Sequence, residues 1–153
     1  MNLSRDRFMD VVGPILLVED TASDAEMTIG ALHEAQVANP IVHVHDGVEA
    51  LDYLHRCGRY AGRTGDDPAL VLLDIHMPRM TGLEVLHALR MEDGFRHLPV
   101  VILSSSSEEV ELARDRNPGA NAYLVKPHDL DRYFDIVGTI GKLWGTLAPT
   151  PGH

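Results

Sequence analysis

Four short runs of apolar residues recur along the chain: "ILLV" (15–18), "LVLL" (70–73), "VVIL" (100–103) and "AYLV" (122–125). In each, odd and even positions alike are apolar. A strand sends alternate side chains to opposite faces, so these runs suit parallel strands covered on both sides. A fifth run, "IVHVH" (41–45), alternates apolar and polar positions, as an edge strand would. Between the runs the apolar period becomes helical. "TASDAEMTIGALHEAQ" sets Ala25, Ile29 and Leu32 on one face, and Ser23 with Glu26 three residues later reads as a capping box. "GVEALDYL" groups Val48, Leu51 and Leu54, and "TGLEVLHALR" groups Leu83, Leu86 and Leu89. "SSSSEEVELARDR" opens on serines and stops at "NPG". "DLDRYFDIVGTIGKLW" is the last helix. Strands alternating with helices predict an α/β doubly wound sheet of five parallel strands. Right-handed crossovers leave few topologies. The stretch "HRCGRYAGRTGDDPA" (55–69) is a long loop by its Gly, Arg and Asp content.

The last helix has more apolar surface than one core needs. Leu130, Phe134, Val137, Gly141 and Trp144 form one stripe, and Tyr133, Ile136, Ile140, Leu143 and Leu147 form a second beside it. A helix facing a single core uses an apolar arc of roughly 100°. One stripe is expected on the sheet. The second is left for a homodimer.

Composition narrows the class. A chain of 153 residues is one domain with a proper core. We bound it at 14–147, with an arm at 1–13 and a flexible tail, rich in Pro and Gly, at 148–153. The net charge of −10 argues against general nucleic-acid or anionic-membrane binding. A single Cys57 rules out an internal disulfide framework and fits a reducing, cytoplasmic setting. No apolar run approaches the roughly 18 residues of a membrane span, and the N-terminus lacks a signal-peptide core.

The residues at the end of each strand carry the chemistry. The run at 15–18 ends in Glu19 and Asp20, that at 70–73 in Asp74, that at 100–103 in Ser104, and that at 122–125 in Lys126. In an open parallel sheet these ends share one edge, where ligands bind. Crowded carboxylates repel and raise one another's pKa values. Lys126 offers one compensating charge, and a hard divalent cation such as Mg²⁺ offers two through oxygen ligands. A carboxylate so placed is a plausible nucleophile toward phosphorus, with metal and lysine neutralising the phosphoryl oxygens.

The motifs "LLVED", "LLDIHMPRMTGLEVL", "PVVILSS" and "GANAYLVKP", in this order and spacing, resemble the CheY-like receiver domains of response regulators over about residues 14–144. That resemblance implies a flavodoxin-like sheet of order 2-1-3-4-5. It implies Asp74 as phosphoacceptor for a histidine kinase, and Mg²⁺ held by Glu19, Asp20, Asp74 and the backbone carbonyl of His76. It makes Ser104 the switch hydroxyl, Lys126 the phosphate-binding lysine, Tyr123 the switch aromatic and Lys126–Pro127 a cis peptide. His76 and Ser106 fall where receivers vary phosphoryl lifetime. The long loop, "HDGVEALDYLHRCGRYAG" and the late "LW" are similar to single-domain receivers that partner bacteriophytochrome kinases. Such a protein is a phosphoacceptor that assists its own phosphorylation and dephosphorylation rather than a turnover enzyme. Its output is by protein contact, since no DNA-binding segment comes after it.

Two rivals stand beside this reading. A haloacid-dehalogenase-like phosphohydrolase also uses an Asp nucleophile, but on its first strand with a second Asp two residues on; here position 76 is His. A degenerate receiver acting as a docking module would not need the acidic residues and Lys126. The "HVH" at 43–45 invites a metal reading, yet no further ligand is evident, and an edge-strand surface accounts for it better. Of the four serines at 104–107, Ser105 or Ser106 is expected to cap the next helix.

Overall fold

In the computed structural model, residues 13–146 are described. The expected arm at 1–13, all but its last residue, and the tail at 148–153 lie outside them, as does Leu147. Five strands form one parallel sheet: β1 (Ile15–Val18), β2 (Ile41–Val44), β3 (Leu70–Asp74), β4 (Val100–Ser104) and β5 (Ala122–Val125), in the order β2-β1-β3-β4-β5. Five α-helices connect or extend them: α1 (Ala22–Glu34), α2 (Gly47–His55), α3 (Gly82–Arg90), α4 (Ser107–Arg116) and α5 (Leu130–Trp144).

The two-parity strands explain the layers. Leu16, Val18, Val71, Leu73, Val100 and Ile102 point into a core with Ala50, Leu54, Val85, Leu86, Leu89 and Val110 from α2, α3 and α4. The alternate residues Ile15, Leu17, Leu70, Leu72, Val101 and Leu103 point the other way, onto Leu32 of α1 and Val137 of α5. All of these are nearly inaccessible. Every leucine-sized side chain fully buried contributes about 1.5–3 kcal/mol, so burial on both faces makes the sheet the rigid base of whatever lies at its edge.

Several local expectations shift. The capping box is not at Ser23 and Glu26. Helix α1 starts behind Thr21, whose side chain makes no capping bond. A true box caps α3, where Thr81 and Glu84 satisfy each other's backbone N–H. In α2 the buried face is Ala50, Tyr53 and Leu54 rather than Val48, Leu51 and Leu54. Tyr53 turns inward because the 55–69 loop folds over it: Arg63 lies 4.1 Å above its ring and Tyr60 meets it edge-on. That loop is structured, with a 3₁₀ turn at Gly58–Tyr60. Arg56 donates to the carbonyls of Arg63 and Gly65, and Arg63 to those of Tyr53 and Asp66.

The two-stripe division of α5 is also corrected. Tyr133 and Ile140, assigned to a free dimer face, are buried in the core, 4% and 3% exposed. The Tyr133 hydroxyl reaches Thr28 of α1 at 2.5 Å. Ile136 is half-buried, and Leu143 is exposed at 68%. Leu130, assigned to the packed stripe, is exposed instead. The cause is that α5 faces both the sheet and α1, so its buried arc is wider than a sheet contact alone requires. The approach to α1 is close: a Cβ on Gly141 would stand 2.9 Å from Leu32 Cδ2, and 2.6 Å from Val37 Cγ2 just beyond the helix. Among the described residues no helix is long and apolar enough to cross a membrane.

Candidate functional site

The carboxyl edge of the sheet gathers the charged residues that end its strands. β1 and β3 are neighbours, so Glu19 and Asp20 emerge beside Asp74. Carboxylate oxygens of Glu19, Asp20 and Asp74 all lie within 4.8 Å of one another, the one such ligand group among the described residues. Glu19 is buried, Asp74 half-buried and Asp20 exposed. Lys126, at the end of β5, spans the edge. Its Nζ donates to Glu19 Oε1 at 2.7 Å and stands 3.5 Å from Asp24 and 3.7 Å from Asp74 Oδ1.

One ammonium does not balance this cluster. Burial pushes the Asp74 carboxyl up, Lys126 pulls it down, and Glu19 and Asp20 push it up again, to about 7. Burial alone would lower Lys126, but its bond to Glu19 and the charge of Asp74 hold it above its ordinary value. Three close carboxylates, with Asp74 pushed toward its protonated form, describe a pocket short of positive charge. An all-oxygen donor set of this kind fits a hard divalent cation.

The loop after β3 is shaped by its own sequence. Gly82 packs against it so closely that a Cβ there would sit 2.1 Å from the carbonyl oxygen of Asp74. Arg79 adopts a left-handed φ of 68°, which is uncommon for a residue with a Cβ. Its guanidinium is clamped by Asp46 at 2.6 and 3.0 Å. Asp46 also caps α2 by accepting from Glu49 N at 2.8 Å. Burial opposes its ionisation, but these partners outweigh it and hold its pKa below the usual range. Sequence reading missed this pair, which lies 33 residues apart. The only hint was a helix-capping Asp in "HDGVEAL".

The sequence of this pocket has a known counterpart. The profile of the response regulator receiver domain matches residues 15–137. The chain belongs to the response-regulator receiver family. It is 30% identical to the response regulator Rcp1 of Synechocystis over 90% of this chain and 92% of that protein. Among solved structures it is similar to the bacteriophytochrome response regulator AtBRR, at 44% identity and a TM-score of 0.77, over 92% of this chain and 98% of that one. It is also similar to the Mn²⁺-bound form of Rcp1, at 28% identity and a TM-score of 0.75, over 92% and 99%. The receiver fold and family therefore stand, and the haloacid-dehalogenase alternative is not favoured.

The remaining receiver positions differ in their surroundings. Ser104 ends β4, one residue beyond the register partner of Asp74. It is 2% exposed, and its hydroxyl donates to Glu109 Oε2 at 3.0 Å. Ser106 caps α4 by accepting from Glu109 N. Tyr123 is buried; its hydroxyl donates to the Asn117 carbonyl and accepts from Ala120 N. The peptide at Lys126–Pro127 is trans, not cis; trans is the lower-energy isomer at most X–Pro bonds. His76 is exposed, and its Nε2 pairs with Glu109 Oε1. That pairing raises the His76 pKa and lowers that of Glu109. Nothing in the sequence marks out Glu109, which is one acidic residue in a helix's first turn. His43 contacts the Glu19 carbonyl at 2.7 Å and His45 contacts Glu49, so "HVH" serves local bonds rather than a ligand cluster.

Proposed function

We propose that Asp74 is the phosphoacceptor of this receiver. A histidine kinase presents a phosphohistidine; its P–N bond breaks as a P–O bond forms to the Asp74 carboxylate, and the imidazole takes up a proton. The observation that carries this is the position of Asp74, half-buried beside two other carboxylates and 3.7 Å from Lys126. The metal would be Mg²⁺, and Glu19, Asp20, Asp74 and the carbonyl of His76 would hold it. When bound it supplies the charge that lets the carboxylates ionise together and offsets the phosphoryl oxygens. Lys126 holds Glu19 in place and offers its ammonium to the phosphoryl group. Ser104 then donates to a phosphoryl oxygen, Tyr123 responds, and the face of α4, β5 and α5 changes its affinity for a protein partner. This is a population shift set off by local charge.

The kinase is of the bacteriophytochrome kind. The likeness to AtBRR and to the phosphorylated cyanobacterial phytochrome response regulator RcpA, 34% identical with a TM-score of 0.77 over 87% of this chain and 94% of that one, supports this choice. Recognition is by protein, with no nucleic acid involved, and the setting is cytoplasmic. Self-association through α5 uses Ile136 and Leu143, seven residues apart on one side of the helix, instead of Tyr133 and Ile140. Sedimentation of wild type and L143E, with and without phosphorylation, tests that face; a monomer throughout would remove it.

The role of Asp74 is tested by intact mass after incubation with Mg²⁺ and acetyl phosphate. Wild type should gain one phosphoryl group. D74N, and wild type without Mg²⁺, should not. Labelling retained in D74N would move the acceptor elsewhere.

A further inference from the structure

Ser104 has one hydroxyl proton to give, and here it goes to Glu109 Oε2 at 3.0 Å. The same hydroxyl accepts from Ser106 N at 3.1 Å, so its orientation is fixed at both ends. Glu109 is anchored too. Its backbone N–H is capped by Ser106 at 3.3 Å, in the first turn of α4. Its second oxygen is taken by His76, two residues beyond Asp74 on the loop leaving β3. A carboxylate is thus held between the two loops that flank the pocket, with one oxygen on the hydroxyl that phosphorylation would need.

We propose that Glu109 is a positioning residue that latches Ser104 in the resting receiver. Ser104 cannot donate to Glu109 and to a phosphoryl oxygen at once. Phosphorylation therefore has to win the proton from an anionic acceptor already in place. His76 keeps that acceptor over the pocket. The latch makes the resting state more favourable and weakens the response to a phosphoryl group. This rests on the reading of Ser104 as the hydroxyl that meets the phosphoryl group on Asp74.

The experiment is a double-mutant cycle read by beryllofluoride, a phosphoryl mimic, in constant Mg²⁺. The midpoint of binding is followed by the amide NMR signals of the β-sheet edge in wild type, E109A, S104A and S104A/E109A. The amide spectra also report whether each variant is folded. E109A should bind about tenfold more tightly than wild type, the scale of one net hydrogen bond to a charged acceptor. The same change made on S104A should have no effect. E109Q keeps a neutral acceptor for Ser104 and should gain less than E109A, about threefold. Three results would overturn the latch: no gain in E109A, an equal gain in the S104A background, or a gain in E109Q as large as in E109A. The second would mean that Glu109 acts without Ser104, and the third that it acts only by its charge. If S104A alone left beryllofluoride binding unchanged, the role given to Ser104 would fail, whatever Glu109 does.

Discussion

Removing the charge of Asp74 should stabilise the metal-free protein, and most where the fold itself carries that charge. The carboxyl titrates at about 7 in the fold, against an ordinary 3.8. A folded-state pKa above the unfolded one means the native state holds the extra proton between those values. Stability from this group is full below about pH 4 and is lost as pH rises toward 7. Above pH 7 the ionised Asp74 costs the fold at most about 4 kcal/mol, at 1.36 kcal/mol per pKa unit. That ceiling already includes the attraction to Lys126, 3.7 Å away; with screening at the open side of the pocket a net gain of about 1–3 kcal/mol is expected. For a chain of this size that is roughly 3–10 °C in Tm. The assay is thermal unfolding by circular dichroism in EDTA at pH 8 and pH 5. At pH 8 the variant should melt higher. At pH 5 Asp74 is protonated in the fold but ionised in the unfolded chain, so only about a third of the cost is present and the gap should be correspondingly smaller. Saturating Mg²⁺ at pH 8 should stabilise wild type by binding the native state alone, and so close the gap. A gap of equal size at both pH values would refute the reasoning. So would a D74N protein less stable than wild type at pH 8 without metal, because the attraction of Lys126 would then exceed the repulsion of three carboxylates.

Asp46→Ala removes a helix cap and the clamp on Arg79 together; it should cost about 1–3 kcal/mol in urea unfolding and slow phosphorylation by acetyl phosphate, because Arg79 holds a left-handed φ in the loop beside Asp74. Gly82→Ala places a methyl against the backbone of Asp74; a loss of about 1–3 kcal/mol should accompany reduced labelling of Asp74, measured by intact mass. Tyr133→Phe leaves Thr28 bonded to the Asp24 carbonyl but without its partner on α5; the expected cost is about 1 kcal/mol by chemical denaturation, with no change in oligomeric state by sedimentation.

Much of this molecule was legible before any coordinates. Strand identity was, because apolar residues at both parities in 15–18, 70–73 and 100–103 can be satisfied only by cover on both faces. The pocket was also legible: parallel strands end on one side, so Glu19, Asp20, Asp74 and Lys126 had to meet there without help from any loop. Relations between distant segments were not legible, since periodicity along one element says nothing of what packs across it. That is why Tyr133 and Ile140 read as a spare surface when the core between the sheet, α1 and α5 in fact takes them in. It is also why the Asp46–Arg79 clamp and the bridge from His76 through Glu109 to Ser104 were invisible: their members are 33 and 5 residues or more apart and carry no motif. The sequence determined which residues stand at the edge of the sheet, because strand length and direction are local properties. The tertiary structure alone decided how their protons and charges are shared, because Coulombic and hydrogen-bond energies depend on ångström distances that no spacing in the chain specifies.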